Sequence, residues 1–350
     1  MSLARSVFAA AEYASAAIPD YPQLAPWAVA FDLGDGRLQL RGSVTSFTLP
    51  HPFFASAFRR AEKYLDGSHT AEAIADALAG EVDRAAVVFL LKMLASCGLL
   101  IGGSKSRPSA VPEPQLRFFQ QVNRDASRAV AALESKAVRI LAEARMAASI
   151  AALLRQAGLP ERGAEINEIP APDQAPGEFV PGAIGSHLDL IVAVSSGLSD
   201  RLLAAVNERC LKTGTRWLAA TVSGPQARLG PTFVPNLTAC YTCFTHRLNC
   251  NSSDLVADRA FAAAVARDTP EQGGLDAFSS IIAGHIALEA VRLLTGLSEP
   301  STIARYYLFN ATAPGGEAHN VLRVPRCASC GGADIFRRAW DAEPADGEEP

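Results

Sequence analysis

Charge is sparse in this chain: only 19% of its 350 residues are Asp, Glu, Lys or Arg, and a small excess of acids leaves a formal net charge of −4 and a pI near 5.9. These totals carry no electrostatic footprint for a nucleic-acid backbone or an anionic membrane, and neither partner is expected. Uninterrupted apolar runs are short, none approaching the ~18 residues of a membrane-spanning helix. The Ala-rich run from Val7 to Ile18 is broken by Glu12 and preceded only by Arg5, so it reads as a surface helix or tail and not a secretory signal. Cysteine is scarce and odd in number, seven in all, which excludes a full disulfide framework and points to a reducing compartment, the cytoplasm. Apolar residues make up 49% of the chain, enough for two or three domains with cores of their own.

Four of the seven cysteines are paired by spacing. Cys240-Tyr241-Thr242-Cys243 ends the stretch that begins at Gly230-Pro231, and Cys327-Ala328-Ser329-Cys330 answers it after 83 residues, 244 to 326. Two C-x-x-C halves supply the four thiolates of a tetrahedral structural zinc site. Such a site is closed, so it staples two segments together without activating water. Cys97, Cys210 and Cys250 stand singly; Cys210 falls on a predicted helix as a buried thiol, and Cys250 lies among Asn249, Asn251 and Ser252 in a predicted exposed loop. His285 and Glu289 are one helical turn apart but have no third ligand nearby in sequence, and they read as positions on a packing helix.

From residue 21 to 103 the pattern is three strands and then three helices. Trp27, Val29, Phe31 and Leu33 alternate with small or polar residues, Asp35-Gly36 marks a turn, Leu38 and Leu40 resume, and Val44 to Leu49 forms a third strand. Helices follow over Phe53 to Leu65, from Thr70 to Gly80, and over Arg84 to Leu94, ending at Gly98. The order is that of a winged-helix-like unit. A DNA-reading helix needs Arg, Lys, Asn or Gln at base edges, and the third helix is almost wholly apolar between Arg84 and Lys92, which speaks against DNA.

Residues 104–114, rich in Pro and Ser, read as a linker, and residues 115–338 as a second, doubly wound α/β domain. Its strands are Val138 to Leu141, Leu188 to Val194 and Trp217 to Val222, with helices between them, a long apolar helix over Asp276 to Gly296 and a late strand over Arg305 to Phe309. After the first strand, where a nucleotide-binding fold sets G-x-G-x-x-G, the chain has Ala142, Ala144 and Ala147, with Glu143 between the first two. Methyl groups fill the space a pyrophosphate needs, and a carboxylate repels it. No cofactor-binding loop is therefore expected, and no ATP on this chain. Residues 339–350 hold five acids and little to bury, so they are expected to be disordered.

The stretch from Gly230 through Cys243 to Arg247 resembles the ThiF-like fold of adenylating enzymes, and His319 to Gly331 is closer to one branch, the ThiF-like (cyclodehydratase C protein, or TOMM leader-peptide-binding) subunit of azoline-forming peptide synthetases. Leu65-Asp66-Gly67 and Gly98-Leu99-Leu100 resemble the PqqD-like leader-recognition domain. The resemblance implies a non-catalytic subunit, with no catalytic residues of its own. Such a subunit binds a precursor's leader and presents its core to a YcaO-type ATP-dependent cyclodehydratase, with a flavin dehydrogenase as a further partner and a homodimer within the complex. It also implies that the leader adds a strand along Val44, Thr45, Ser46, Phe47, Thr48 and Leu49, beside the helix with Val87, Leu91 and Leu94. Ser195-Ser196 stands where active relatives carry an acid. The alternative is a ThiF-like ATP-dependent enzyme adenylating a peptide or carrier-protein C-terminus.

Overall fold

The structure, a computed structural model, describes residues 16–42, 45–103, 111–122, 126–168, 180, 182, 184, 185, 187–196, 201–265, 273–313 and 315–331. Val44, residues 104–110 of the linker and the acidic tail lie outside the described residues. The chain divides into two compact units, Met1–Ser127 and Arg128–Pro350, so residues 115–127, joined to the second domain on sequence, cluster with the first.

In the first unit β2 (Val29–Asp32), β3 (Leu38–Arg41) and β4 (Ser46–Thr48) form an antiparallel sheet in the order β2-β3-β4, preceded by β1 (Pro22–Leu24). The Asp35 carboxylate holds the hairpin by accepting from the Arg37 amide and Nε. Three helices follow: α1 (Pro52–Ala61), α2 (Ala71–Ala77), capped by the Thr70 hydroxyl, and α3 (Arg84–Ser96), capped by the Asp83 carboxylate. Their inner faces bury Phe58, Ile74, Val87, Leu90, Leu91 and Leu94 against Leu38, Leu40 and Leu49. β1 pairs antiparallel with β5 (Leu100–Gly102), closing the unit end to end, and α4 (Glu113–Val122) lies beyond it. That closure requires glycine at two facing positions, because a Cβ on Gly103 would sit 2.2 Å from Gly67 Cα.

The second unit is a mixed α/β fold. After α5 (Ala126–Leu133), in which the division falls, the order is β6 (Val138–Ala142), α6 (Ala144–Gln156), β7 (Ala164–Glu168), β8 (Leu190–Ser196), α7 (Arg201–Thr213), β9 (Trp217–Ser223) and β10 (Gln226–Phe233). Then come α8 (Tyr241–Cys250), α9 (Leu255–Val265), α10 (Asp276–Thr295), β11 (Arg305–Asn310) and β12 (Gly316–Asn320). One seven-stranded sheet runs β12-β11-β10-β9-β8-β6-β7, parallel from β7 to β9 and antiparallel from β9 to β12. β8 is buried from Leu190 to Ser195, as a central parallel strand covered on both faces should be. At its entry the Asp189 carboxylate accepts from Lys136 Nζ at 2.8 Å and the Ala137 amide at 2.9 Å, pinning β8 beside β6.

Among the described residues α10 is the one helix long and apolar enough to cross a membrane, and 56% of that stretch is buried inside the fold, as in a core helix. Its Glu289, 1% exposed, is neutralised and bonded in place. One carboxylate oxygen accepts from the Thr302 amide (2.7 Å) and hydroxyl (2.8 Å), the other from the Ser301 hydroxyl (2.8 Å) and Arg292 Nη1 (3.2 Å). The Thr302 hydroxyl also meets Thr232 of β10 at 2.6 Å, so this carboxylate ties α10 to the loop before β11 and to the sheet. His285 stacks near Phe309 with ring centroids 4.8 Å apart, and it shares no ligand geometry with Glu289. Glu289→Ala, which orphans several buried donors, is expected to lower stability by about 3 kcal/mol, and Glu289→Gln by less. Urea denaturation checks this; an unchanged midpoint for the alanine variant would show that the network is not stabilising.

Candidate metal centre

Two different backbone devices bring the four paired cysteines together. Cys240 is the N-cap of α8, in extended conformation, and Cys243 follows one turn later on the same helix face. Cys327 and Cys330 sit in a tight turn entered through Arg326 at φ 56° and closed by the Gly331 amide donating to Cys327 O at 2.7 Å. A Cβ on Gly331 would lie 2.4 Å from Cys327 N and 2.5 Å from its carbonyl oxygen, so this turn admits only glycine there.

The sulfur separations are 3.8 Å for Cys240 and Cys243, 3.7 Å for Cys240 and Cys327, and 3.5 Å for Cys243 and Cys330, with all four within 4.8 Å of one another. A disulfide would need about 2.05 Å. A tetrahedron with metal–sulfur bonds of about 2.3 Å has edges of about 3.8 Å, so the donor set fits a four-coordinate metal ion. Three of the cysteines are buried and Cys330 is half-buried. Burial pushes the Cys240 and Cys243 thiols up. Burial acts on Cys327 in the same sense, but the Ser329 and Cys330 amides and the thiols of Cys243 and Cys240 outweigh it and bring Cys327 down to about 7. A cation at the centre of the four would favour the thiolate at each.

Neighbouring groups lock the two halves in register. Thr242 and Ser329 hydroxyls meet at 2.8 Å, and Arg323 donates to Cys330 O at 2.7 Å and to Asn236 O at 3.3 Å. Arg247, which lies beside His246, donates to Arg323 O at 3.2 Å, so its role is to brace this turn. The buried Asn207 side chain accepts from the Tyr241 amide at 2.9 Å, fixing the start of α8 against α7. Beneath lies an aromatic floor of Trp217, Phe233, Tyr241, Phe244 and Tyr306. All four donors are protein thiols and three of them are buried, which suits the centre to holding structure.

At the end of β6 the three alanines occupy the strand, the first residue of α6 and its first turn. Ala142 and Ala147 are fully buried, while Ala144 is exposed; Glu143, the N-cap, is exposed and makes no capping bond with its side chain. Arg145 donates to both carboxylate oxygens of Asp276, the first residue of α10, at 2.9 Å. Ser195 is buried at the end of β8 and Ser196 exposed. Cys210 is buried, and burial pushes its thiol up to about 12, which makes it inert.

The residues expected to meet a peptide divide sharply. Ser46 is exposed, and Thr45, Phe47 and Thr48 are half-buried; β4 is paired only to β3, so its other edge is open among the described residues. Leu49, Val87, Leu91 and Leu94 are instead core residues, from 0% to 1% exposed, and do not belong to the outward subset of these positions. Their helical spacing marks an apolar face, and the sequence could not say that this was the inner one. The outer face of α3 carries Ala85, Val88, Phe89 and Lys92, which sequence reasoning passed over.

Residues 184–330, which include both cysteine pairs, match the model of the ThiF family. The chain carries a ThiF domain. No curated protein sequence matches the chain. Among solved structures, the heterocyclase TruD superposes at a TM-score of 0.69 with 20% identity, over 94% of this chain and 45% of that one. A heterocyclase in complex with substrate and cofactor gives 0.67 and 19%, over 93% and 41%. MccB of E. coli, solved with ATP, gives 0.65 and 14%, over 89% and 99%. The chain thus has the fold of these proteins while spanning less than half the length of the heterocyclase chains.

For the ThiF domain, replacing Cys327 and Cys330 together by Ser is expected to release about one metal equivalent per chain and to destabilise the second unit. Gly331→Ala is expected to weaken metal retention with all four thiols present. Metal analysis after gel filtration checks both, and full retention by the double variant would exclude these sulfurs as ligands.

Proposed function

We propose that this chain is the leader-binding scaffold subunit of a heterocycle-forming peptide synthetase, working with a separate YcaO-type cyclodehydratase that uses ATP. One observation carries the reading: 94% of this chain shares its fold with the heterocyclase TruD. In this reading the chain supplies recognition and the partner supplies the ATP-dependent chemistry, with a flavin dehydrogenase acting afterwards.

Recognition rests on the first unit, read as a PqqD-like domain. A precursor's leader adds as a strand to the open edge of β4, where main-chain hydrogen bonds supply affinity. Phe47, Phe54 and Phe89, each half-buried on the core of that unit, offer apolar contact for alternate side chains, and Phe54 and Phe89 lie 5.7 Å apart. Cys240, Cys243, Cys327 and Cys330 hold a structural zinc ion, which supplies cross-linking and no catalysis. The ThiF domain does no adenylation: Ala142, Glu143 and Ala144 supply methyl groups and a negative charge at the nucleotide loop. The chain is assigned to the reducing cytoplasm, as a homodimer within the assembly.

The rival reading, an ATP-dependent adenylating enzyme, draws on the match to MccB, which this chain spans over 99% of that protein's length and which has been solved with ATP. ATP–pyrophosphate exchange by the isolated chain would select the rival; none is expected. For the scaffold reading, Ser46→Glu on β4 and Val88→Glu on the outer face of α3 are each expected to weaken binding of a synthetic leader peptide at least tenfold, about 1.4 kcal/mol, without shifting thermal unfolding. Fluorescence anisotropy measures this, and unchanged affinity in both variants would remove the strand-addition mode.

A further inference from the structure

The elements around the free edge of β4 carry charge of one sign. β3, β4, α1 and α3 together bear five charged side chains, Arg41, Arg59, Arg60, Arg84 and Lys92, and every one is a cation. Three are answered by acids elsewhere in the unit: Arg59 by Asp32, Arg60 by Glu81 and Arg84 by Asp76. Asp83, the acid just before α3, is occupied in capping that helix. Arg41 and Lys92 thus stand on elements that carry no acid, in a chain whose formal net charge is −4.

These two cations flank the edge from opposite faces of the sheet. Arg41 is exposed, and its register partner on β4 is Ser46, so the two side chains share the outer face. Phe47 turns the other way, onto the core, where the rings of Phe54 and Phe89 lie 5.7 Å apart. Lys92, half-buried, follows Phe89 by three residues on α3 and is its neighbour on the helix surface. The Leu49 amide donates to Leu38 O on β3, so by the alternation of an antiparallel ladder the Ser46 and Thr48 amides turn to the free edge. A strand added there runs one row of side chains past Phe47, Phe89 and Lys92, and the other past Ser46 and Arg41.

We propose that the leader taken up at this edge is an acidic one. It is apolar where it meets Phe47, Phe54 and Phe89, and it bears Asp or Glu on both rows, one to pair with Lys92 and one with Arg41. This deepens the scaffold reading above and rests on it. Charge complementarity acts on specificity and encounter more than on total affinity, so the two cations select among leaders that main-chain bonds alone would hold alike. A nucleic acid suits the edge less well, because so few cations neutralise little of a phosphate backbone and apolar side chains donate nothing to base edges.

The test uses the full chain and synthetic extended peptides with Leu, Val or Phe at alternate positions and Glu, Gln or Lys throughout the others, compared by fluorescence anisotropy. Wild type is expected to bind the Glu set about tenfold more tightly than the Lys set, with the Gln set between them and the preference shrinking as salt rises. Arg41→Gln with Lys92→Gln is expected to erase the preference, Arg41→Glu with Lys92→Glu to invert it, and Lys92→Arg to keep it. Should a change at Lys92 unfold the unit, Arg41→Gln alone, at an exposed position, must lower the preference or the proposal fails. Equal binding of the three sets by wild type, or a preference that survives in the double Gln variant, overturns the acidic-leader proposal. Strand addition then still stands if Ser46→Pro, which removes one outward amide, weakens every set. Binding of no set overturns both readings. Competitive displacement of the peptide by a single-stranded oligonucleotide that binds more tightly marks the cations as a phosphate site and overturns the proposal.

Discussion

Four sulfur atoms join segments that lie 83 residues apart in the chain, and much of the second unit is arranged by that join. Between the two cysteine pairs run α8, α9, α10, β11 and β12. The antiparallel extension of the sheet is thus closed at both ends of its excursion, at the start of α8 and just after β12. A clip across so long a loop removes much of the freedom of the unfolded chain, the reason metal and disulfide staples gain most when they span distant segments. The geometry also shows how little of the centre is left to the thiols alone. The Gly331 turn, the Arg323 bonds to both halves and the Thr242–Ser329 hydroxyl contact set the sulfur positions from outside.

A second constraint, the buried Glu289, works without a metal on the opposite side of the problem. It meets the loop before β11 with three acceptor contacts and Arg292 of its own helix with a fourth, so the chain entering the last hairpin is positioned from α10 as well as from the cysteine turn. Nothing in the sequence distinguished this residue from an ordinary helix position. A lone acid in an apolar helix is explicable only when its partners are known, and Ser301, Thr302 and Thr232 are brought to it by the sheet.

What could be read in advance follows the range of the interactions concerned. β8, β9 and the parallel core were legible because burial on both faces produces continuous apolar runs such as Leu190-Ile191-Val192-Ala193-Val194. The second helix of the first unit was legible through Thr70, whose capping is local, whereas the Asp83 cap of the third was not singled out. β1 and β5 were not, because each is three residues long and exists only by pairing with the other. β7 was missed for a related reason: at the edge of the sheet, Ala164-Glu165-Ile166-Asn167-Glu168 carries mostly exposed polar side chains and no core pattern. The cysteine centre was legible because chelation imposes its own spacing. The face of α3 was only half legible, since Val87, Leu91 and Leu94 announce an apolar stripe without saying which way it turns.

The turn from β6 to α6 shows how little a strand-to-helix framework asks of its side chains. The strand-to-helix turn from β6 to α6 needs only that Glu143 stay extended and that the Ala147 amide reach its carbonyl, which it does at 2.8 Å. Alanine satisfies both demands, and Ala142 and Ala147 fill the interior where closer backbone approach would need glycine. The sheet, the crossover helix and the packing of α6 on α10 therefore need no glycine at this turn. Arg145 beside that turn is engaged by Asp276, and at 79% and 83% exposure this pair stabilises little. Its effect is on charge: the guanidinium at the mouth of the loop is matched by a carboxylate, and with Glu143 beside it the local balance is negative. The backbone of this turn is thus held by packing and two local hydrogen-bonding demands, whatever side chains line it.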